Sequence, residues 1–248
     1  MTNKTMQPTV QNQKAELEGT FSFYISLLTG TLTTLTFGIA IATPPLSGPF
    51  CRTGCFHYPF LDIASRFPRD YIWMYPAIIS TALYLILFVC INSLAQNGRK
   101  IFSQCGLVFA TISACTLFLD YFIQLSVIQP SVLNGEADGI SLLSQFNPHG
   151  LFIAMEELGF LMMSLSFLCA SPIFSIGRVE KAVRWIFIIS FAATAISFIL
   201  FTVFLGVHRE YFFEITAISI NWLALISASF LLSAVFKRKK RELLRAQA

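Results

Sequence analysis

The amino-acid sequence predicts an all-α polytopic integral membrane protein, a bundle of six transmembrane helices with the N- and C-termini cytoplasmic. Three observations predict it. Apolar side chains make up 55% of the 248 residues and charged ones only 12%, with a mean hydropathy of +0.68, more apolar surface than a water-soluble domain of this length hides. Those side chains, 26 phenylalanines among them, gather in stretches of about 20 residues or more, the length that crosses ~30 Å of hydrocarbon at 1.5 Å per residue. The basic residues, finally, cluster in alternate gaps between the stretches.

Residues 1–20 are polar, with Lys4, Lys14, Glu16 and Glu18. No short apolar core with a small-residue cleavage site follows a basic start, so no cleaved signal peptide is expected and the segment is read as a cytoplasmic extension. Apolar runs then predict helices over 21–43, 72–95, 102–129, 148–174, 183–206 and 212–236 within one transmembrane domain, 21–236. Residues 237–248 form a basic cytoplasmic tail with Lys237, Arg238, Lys239, Lys240, Arg241 and Arg245. A basic run directly after an apolar helix stops transfer and attracts anionic lipid headgroups, and nothing in the charge pattern points to nucleic acid.

Orientation follows from the loops. With the N-terminus inside, the inner segments hold Lys4, Lys14, Arg99, Lys100, Arg178, Lys181, Arg184 and the tail, 13 of the 17 basic residues. The outer segments hold only Arg52, Arg66, Arg69 and Arg209. The positive-inside rule then places both ends in the cytoplasm of a cell membrane.

The first outer loop, 44–71, is rich in Pro, Phe and Tyr and is expected to fold back as a partly ordered cap. A short interfacial helix is expected near residues 60–67, presenting Leu61, Ile63, Ala64 and Phe67, with Asp62 and Arg66 meeting at i,i+4. The second outer loop, 131–147, carries Glu136, Asp138 and the turn signal Asn134-Gly135. Cys51 and Cys55 flank Arg52-Thr53-Gly54 on the predicted outer side, where a disulfide is the expected state, with free thiols or a zinc set with His57 as alternatives. Cys90, Cys105, Cys115 and Cys169 read as small packing residues.

Two patterns have both a functional and a plain reading. Arg69-Asp70-Tyr71 and Arg209-Glu210-Tyr211 open the second and sixth helices. They mark either a duplicated hairpin with a site between the copies or, the preferred reading, an interfacial charge-and-aromatic anchor used twice. Ser22, Ser26, Thr29, Gly30, Thr33 and Thr36 form a small-residue stripe on the first helix, expected to be a packing face rather than a polar path.

Chemistry concentrates in the acids. A carboxylate at mid-helix costs at least ~2.5 kcal/mol on insertion scales, so Asp120, Glu156 and Glu157 each need a compensating species. Asp120 lies late in the third helix and the glutamates early in the fourth, at similar depth on antiparallel neighbours. Gln124 and His149 share helix faces with them, and Tyr71, Trp73, Tyr75, Glu214 and Asn221 start the second and sixth helices at the same level. Apart from Asn92 the inner half of the predicted spans offers mostly apolar, Ser and Thr side chains. No Lys or Arg lies within a predicted hydrophobic core, so the partners are outer-loop arginines, a proton or a bound cation. Glu156 and Glu157 are 100° apart on a helix, so only one points fully into a common site.

These residues predict an outward-facing acidic and aromatic pocket for a small cation, a proton or an organic amine, held by charge and cation–π attraction, in a binding or transport protein. A metal-dependent enzyme acting on lipid is the alternative, using His57, His149 and His208 with the acids. Against it, His149 and Glu156 are two turns and ~10 Å apart on one helix. A structural subunit of a membrane complex is the third reading. No phosphate loop, zinc-protease motif, nucleophile elbow or mid-membrane histidine pair is present, so the pattern specifies no catalytic residue, metal or cofactor, and no oligomeric state.

Overall fold

The computed structural model describes residues 6–245. The first five residues of the polar N-terminal segment, Lys4 among them, and the last three of the basic tail lie outside the described residues. Among the described residues the chain is all-helical apart from its loops. Six long helices carry it: α1 (Met6–Ala42), α2 (Met74–Ser93), α3 (Lys100–Ile123), α4 (Leu151–Ala170), α5 (Arg178–Leu205) and α6 (Glu210–Arg245). Each belongs to a segment long and apolar enough to cross a membrane.

Successive helices pack side by side around a ring, α6 closes it against α1, and α4 also reaches across to α6. Unlike a water-soluble bundle, this one is apolar on its outer face as well as in its core. Leu28, Ile79, Leu119, Ile189, Phe204 and Leu223 are exposed, whereas Ser26, Thr29, Ser113, Glu156, Thr194 and Asn221 are buried beside the core aromatics. An apolar exterior with its polar side chains turned inward is the arrangement a bilayer selects, and it fits a multi-pass membrane protein.

Several helices run past their expected ends. α1 begins at Met6, because Gln, Lys, Ala, Glu and Leu after Pro8 are good helix formers and a proline is tolerated in a first turn. α6 continues through the basic tail for the same reason. The two polar extensions hold each other: Lys240 Nζ lies 3.2 Å from Glu16 Oε1 and donates to Thr20 Oγ1 at 2.8 Å. At the same end Arg238 pairs with Glu180 at 2.7 Å, and Glu180 Oε2 accepts the Ile176 N–H ahead of α5, which starts that helix five residues earlier than the apolar run. Both ends of the described residues therefore share one end of the bundle, here called the termini end.

At the other, cap end, α3 does not stop at 129. A π turn at Gln124–Ile128 leads into a further short helix, Gln129–Leu133. The wide turn lets the chain pass Pro130, which has no N–H to donate. The expected interfacial helix is a 3-10 helix, Leu61–Arg66. Residues eclipse at i+3 there, so Asp62 and Arg66 do not pair; Arg66 lies over the Phe56 ring instead, 5.1 Å from its centroid. Ile63 turns into the core while Leu61 and Phe67 stay exposed. Cys51 and Cys55 are joined by a disulfide.

The hydroxyl stripe of α1 is a packing face. Ser26 and Thr29 donate to carbonyls four residues back at 2.7 and 2.8 Å, and Thr36 Oγ1 meets Ser80 Oγ of α2 at 3.2 Å. A methyl group on Gly30 would stand 3.1 Å from the Phe230 ring, so α1 and α6 approach closely there.

Candidate functional site

The site starts from the contact between α3 and α4. Ser113 Oγ donates to the Gly159 carbonyl at 2.8 Å, and a Cβ on Gly159 would lie 2.6 Å from Leu117, so only glycine admits this approach. The tight seam sets Asp120 and Tyr121 against Glu156, one helical turn before Gly159. Tyr121 donates its hydroxyl to Glu156 Oε1 at 2.9 Å. From α6, Glu214 joins Glu156 in lining one cavity, and Asp120 stands near enough for its charge to act on both.

Asp120, Glu156 and Glu214 are 2%, 1% and 7% exposed. Among the described residues no Lys, Arg or His forms an ion pair with any of them. Asp120 Oδ2 and Glu214 Oε2 have no hydrogen-bond partner. Carboxyls gathered within an apolar wall stay together only with a proton or a cation between them, because like charges at this range repel strongly.

Glu157 goes elsewhere. Its Oε2 accepts from Arg209 Nη1 at 2.8 Å, and the guanidinium lies 4.6 Å from the Phe198 ring centroid. One residue along a helix is enough to separate a clasped glutamate from an unclasped one.

Glu156 and Glu214 open onto a cavity of about 300 Å³ at the cap end. Phe37, Ile41 and Leu46 wall it from α1 and the strap after it, Trp73 from the start of α2, Phe152 from α4, and Tyr211, Ile215 and Trp222 from α6. Trp222 packs edge-on to Phe37 and Phe160 at 5.6 and 5.8 Å, and Trp73 edge-on to Tyr121 at 5.3 Å. Asp70 also lines the cavity, but Arg69 holds it at 2.6 Å. The residues Pro44–Ser47 form a lid strap: the Ser47 and Tyr211 hydroxyls are in short hydrogen-bond contact, and Tyr211 also donates to the Gln145 carbonyl at 3.3 Å.

Of the residues the sequence singles out, Glu156, Glu214 and Trp73 line this cavity, and Asp120 stands behind Glu156. Gln124 pins the second cap loop, donating to Leu143 O at 2.6 Å and accepting from Gln145 N at 3.1 Å. His149 sits on the rim, paired with Glu210 at 2.9 Å and 6.2 Å from the His208 ring. Tyr71 is buried behind the wall against Phe146, and Asn221 faces α5, donating to Thr194 Oγ1 at 3.2 Å. Tyr75 is exposed on the outside of α2.

Ser47, Asp70, Tyr211 and Trp222 are wall residues that sequence reasoning does not single out for the site. A signal for Trp222 exists: Glu214, Ile218 and Trp222 recur every four residues, one face of α6. Asp70 and Tyr211 belong to the twice-used Arg-acid-Tyr pattern, whose plain reading is an interfacial anchor. Among the described residues no three His, Cys, Asp or Glu side chains converge to hold a metal ion. Compared with protein-family models, curated proteins and solved structures, the chain has no significant match.

Proposed function

We propose that this bundle binds an organic amine in the cap-end cavity, as a receptor or as the binding step of a carrier. The observation that carries the reading is Glu214, a glutamate that lines an aromatic cavity without an ion-pair partner among the described residues and whose Oε2 is buried without a hydrogen-bond partner. An unpaired buried polar atom is costly, and an ammonium N–H satisfies it with a charge-assisted bond. Trp73, Trp222, Phe37 and Phe152 supply the ring faces that favour an organic cation over a strongly hydrated inorganic one. The C-terminal end of α1, with its partial negative charge, points the same way, since Ala40, Ile41 and Thr43 line the cavity.

In the orientation the basic residues favour, the termini end is cytoplasmic and the cap end with its cavity faces out of the cell.

The test is binding to the full chain in lipid nanodiscs, with ethylammonium and butylammonium as probes and 1-butanol as the neutral control. The reading expects saturable butylammonium binding, no saturable 1-butanol binding, and at least tenfold weaker amine affinity in Glu214→Gln. Equal binding of amine and alcohol, or an unaffected Glu214→Gln variant, removes it.

A further inference from the structure

We infer that the ligand is a single-chain amphiphile, an ammonium headgroup on an alkyl tail, and that it reaches the carboxyls from the bilayer through the seam between the cap-end halves of α1 and α6. The inference rests on the amine reading above and adds the ligand's class and its route.

The route follows from which walls are open. Ile41 near the end of α1 and Ile215 near the start of α6 both line the cavity and are 69% and 41% exposed on the apolar outer face of the bundle. A cavity wall that is also lipid-facing surface is a lateral mouth. Toward the cap end the strap is held down at its second half, although Pro44 and Pro45 line the cavity and are exposed. Leu46 and Ser47 are buried in the strap, Leu46 O accepts the Phe56 N–H at 2.7 Å, and Ser47 is latched to Tyr211. The next residue locks the latch in place: Gly48 has a φ of +66°, and a Cβ there would stand 2.3 Å from the Tyr211 ring.

The ligand class follows from how polarity is distributed. The carboxyl-bearing Glu156 and Glu214 line the cavity as buried residues, whereas Ile41 and Ile215 line it from the exposed, lipid-facing side. A small hydrated ion would have to shed its water against isoleucine before meeting a charge. An alkyl ammonium presents an apolar tail to those residues and its charge to the acids, so each part meets its own chemistry. The volume of about 300 Å³ is at the low end for ligand sites, enough for a headgroup and the first part of one chain, with the remainder trailing through the seam into lipid.

The experiment compares ethyl-, butyl-, hexyl- and octylammonium binding to the full chain in nanodiscs. The Glu214→Gln protein in identical nanodiscs corrects for partition into the lipid. Affinity is expected to rise about fourfold per methylene over the first members, the factor for burying one CH2, and then to level as the chain leaves the cavity. Ile215→Trp, which fills the mouth, is expected to weaken octylammonium at least tenfold more than ethylammonium. Ile41→Trp repeats the test from the other lip should Ile215→Trp fail to fold, judged by its thermal unfolding. Loosening the strap with Gly48→Ala, a residue outside the cavity wall whose new methyl displaces the Tyr211 ring, is expected to leave the octylammonium association rate unchanged, since the tail does not pass there. Chain-independent affinity with equal effects of the Trp variants on both amines, or faster association in Gly48→Ala, overturns the lateral route while leaving the amine reading standing. No binding of any member overturns both.

Discussion

Tyr121 donates its hydroxyl hydrogen to Glu156 Oε1 at 2.9 Å, a buried bond that crosses from α3 to α4. The same ring packs edge-on against Trp73 at 5.3 Å, so one side chain fixes both the acid and an aromatic wall of the cavity. Removing only the hydroxyl separates these roles. Tyr121→Phe keeps the ring, leaves Glu156 short of a donor and is expected to cost about 1 to 3 kcal/mol of stability. Urea unfolding in detergent measures it, with Glu156→Gln/Tyr121→Phe expected to cost less than the sum of the single changes. An unshifted midpoint in Tyr121→Phe would mean the bond contributes nothing net.

Glu156 and Glu157 are neighbours in the chain and opposites in environment. Glu156→Gln is expected to weaken butylammonium binding at least tenfold with the fold intact. Glu157→Gln is expected to leave that affinity within about twofold and instead to loosen the link between α4 and α6, since Arg209 loses a charged partner that is mostly buried. Binding isotherms and thermal unfolding of both variants decide it. The reverse assignment, with Glu157 controlling affinity, would relocate the site to the Arg209 side.

The approach of α3 and α4 depends on Gly159. Gly159→Ala places a methyl 2.6 Å from Leu117 Cδ2 in a packed seam and is expected to destabilise by about 1 to 3 kcal/mol. Leu117→Ala opens a cavity of its own, yet in the double variant the new methyl occupies part of that space. A double-mutant cycle should therefore show a coupling of at least about 0.5 kcal/mol in the compensating direction; strict additivity would contradict the contact.

The proposed orientation is checked by labelling intact cells with a membrane-impermeant maleimide. A cysteine in place of the exposed Asp138 at the cap end is expected to react from outside. One in place of the exposed Arg178 at the termini end is expected to react only after permeabilisation. The opposite pattern would turn the bundle over.

The fold was largely legible in the sequence because span length and apolar content are local properties that the bilayer sets in advance. Each of the six expected helices is present, and the misjudged ends have local causes as well. Apolar content marks where a span should end, whereas propensity and capping decide where a helix does, as Glu180 ahead of α5 and the Lys and Arg residues of α6 demonstrate. The π turn before Pro130 left no comparable trace, because a helix that widens and one that stops have the same apolar pattern.

The site was legible only in its inventory. Composition alone required that Asp120, Glu156 and Glu157 have compensating partners, since charge in an apolar medium is costly wherever it stands. Which acid is clasped and which is open depends on a rotation of 100° about one helix and on where Arg209 lies after five helices have packed. The sequence by itself determined six apolar spans, the basic bias between their ends and the presence of acids among them. Tertiary structure alone decided that Glu157 leaves Glu156 for Arg209 and that Trp222 and the Ser47–Tyr211 latch enclose the site. Those outcomes depend on contacts between residues far apart in the chain, and no local pattern encodes such contacts.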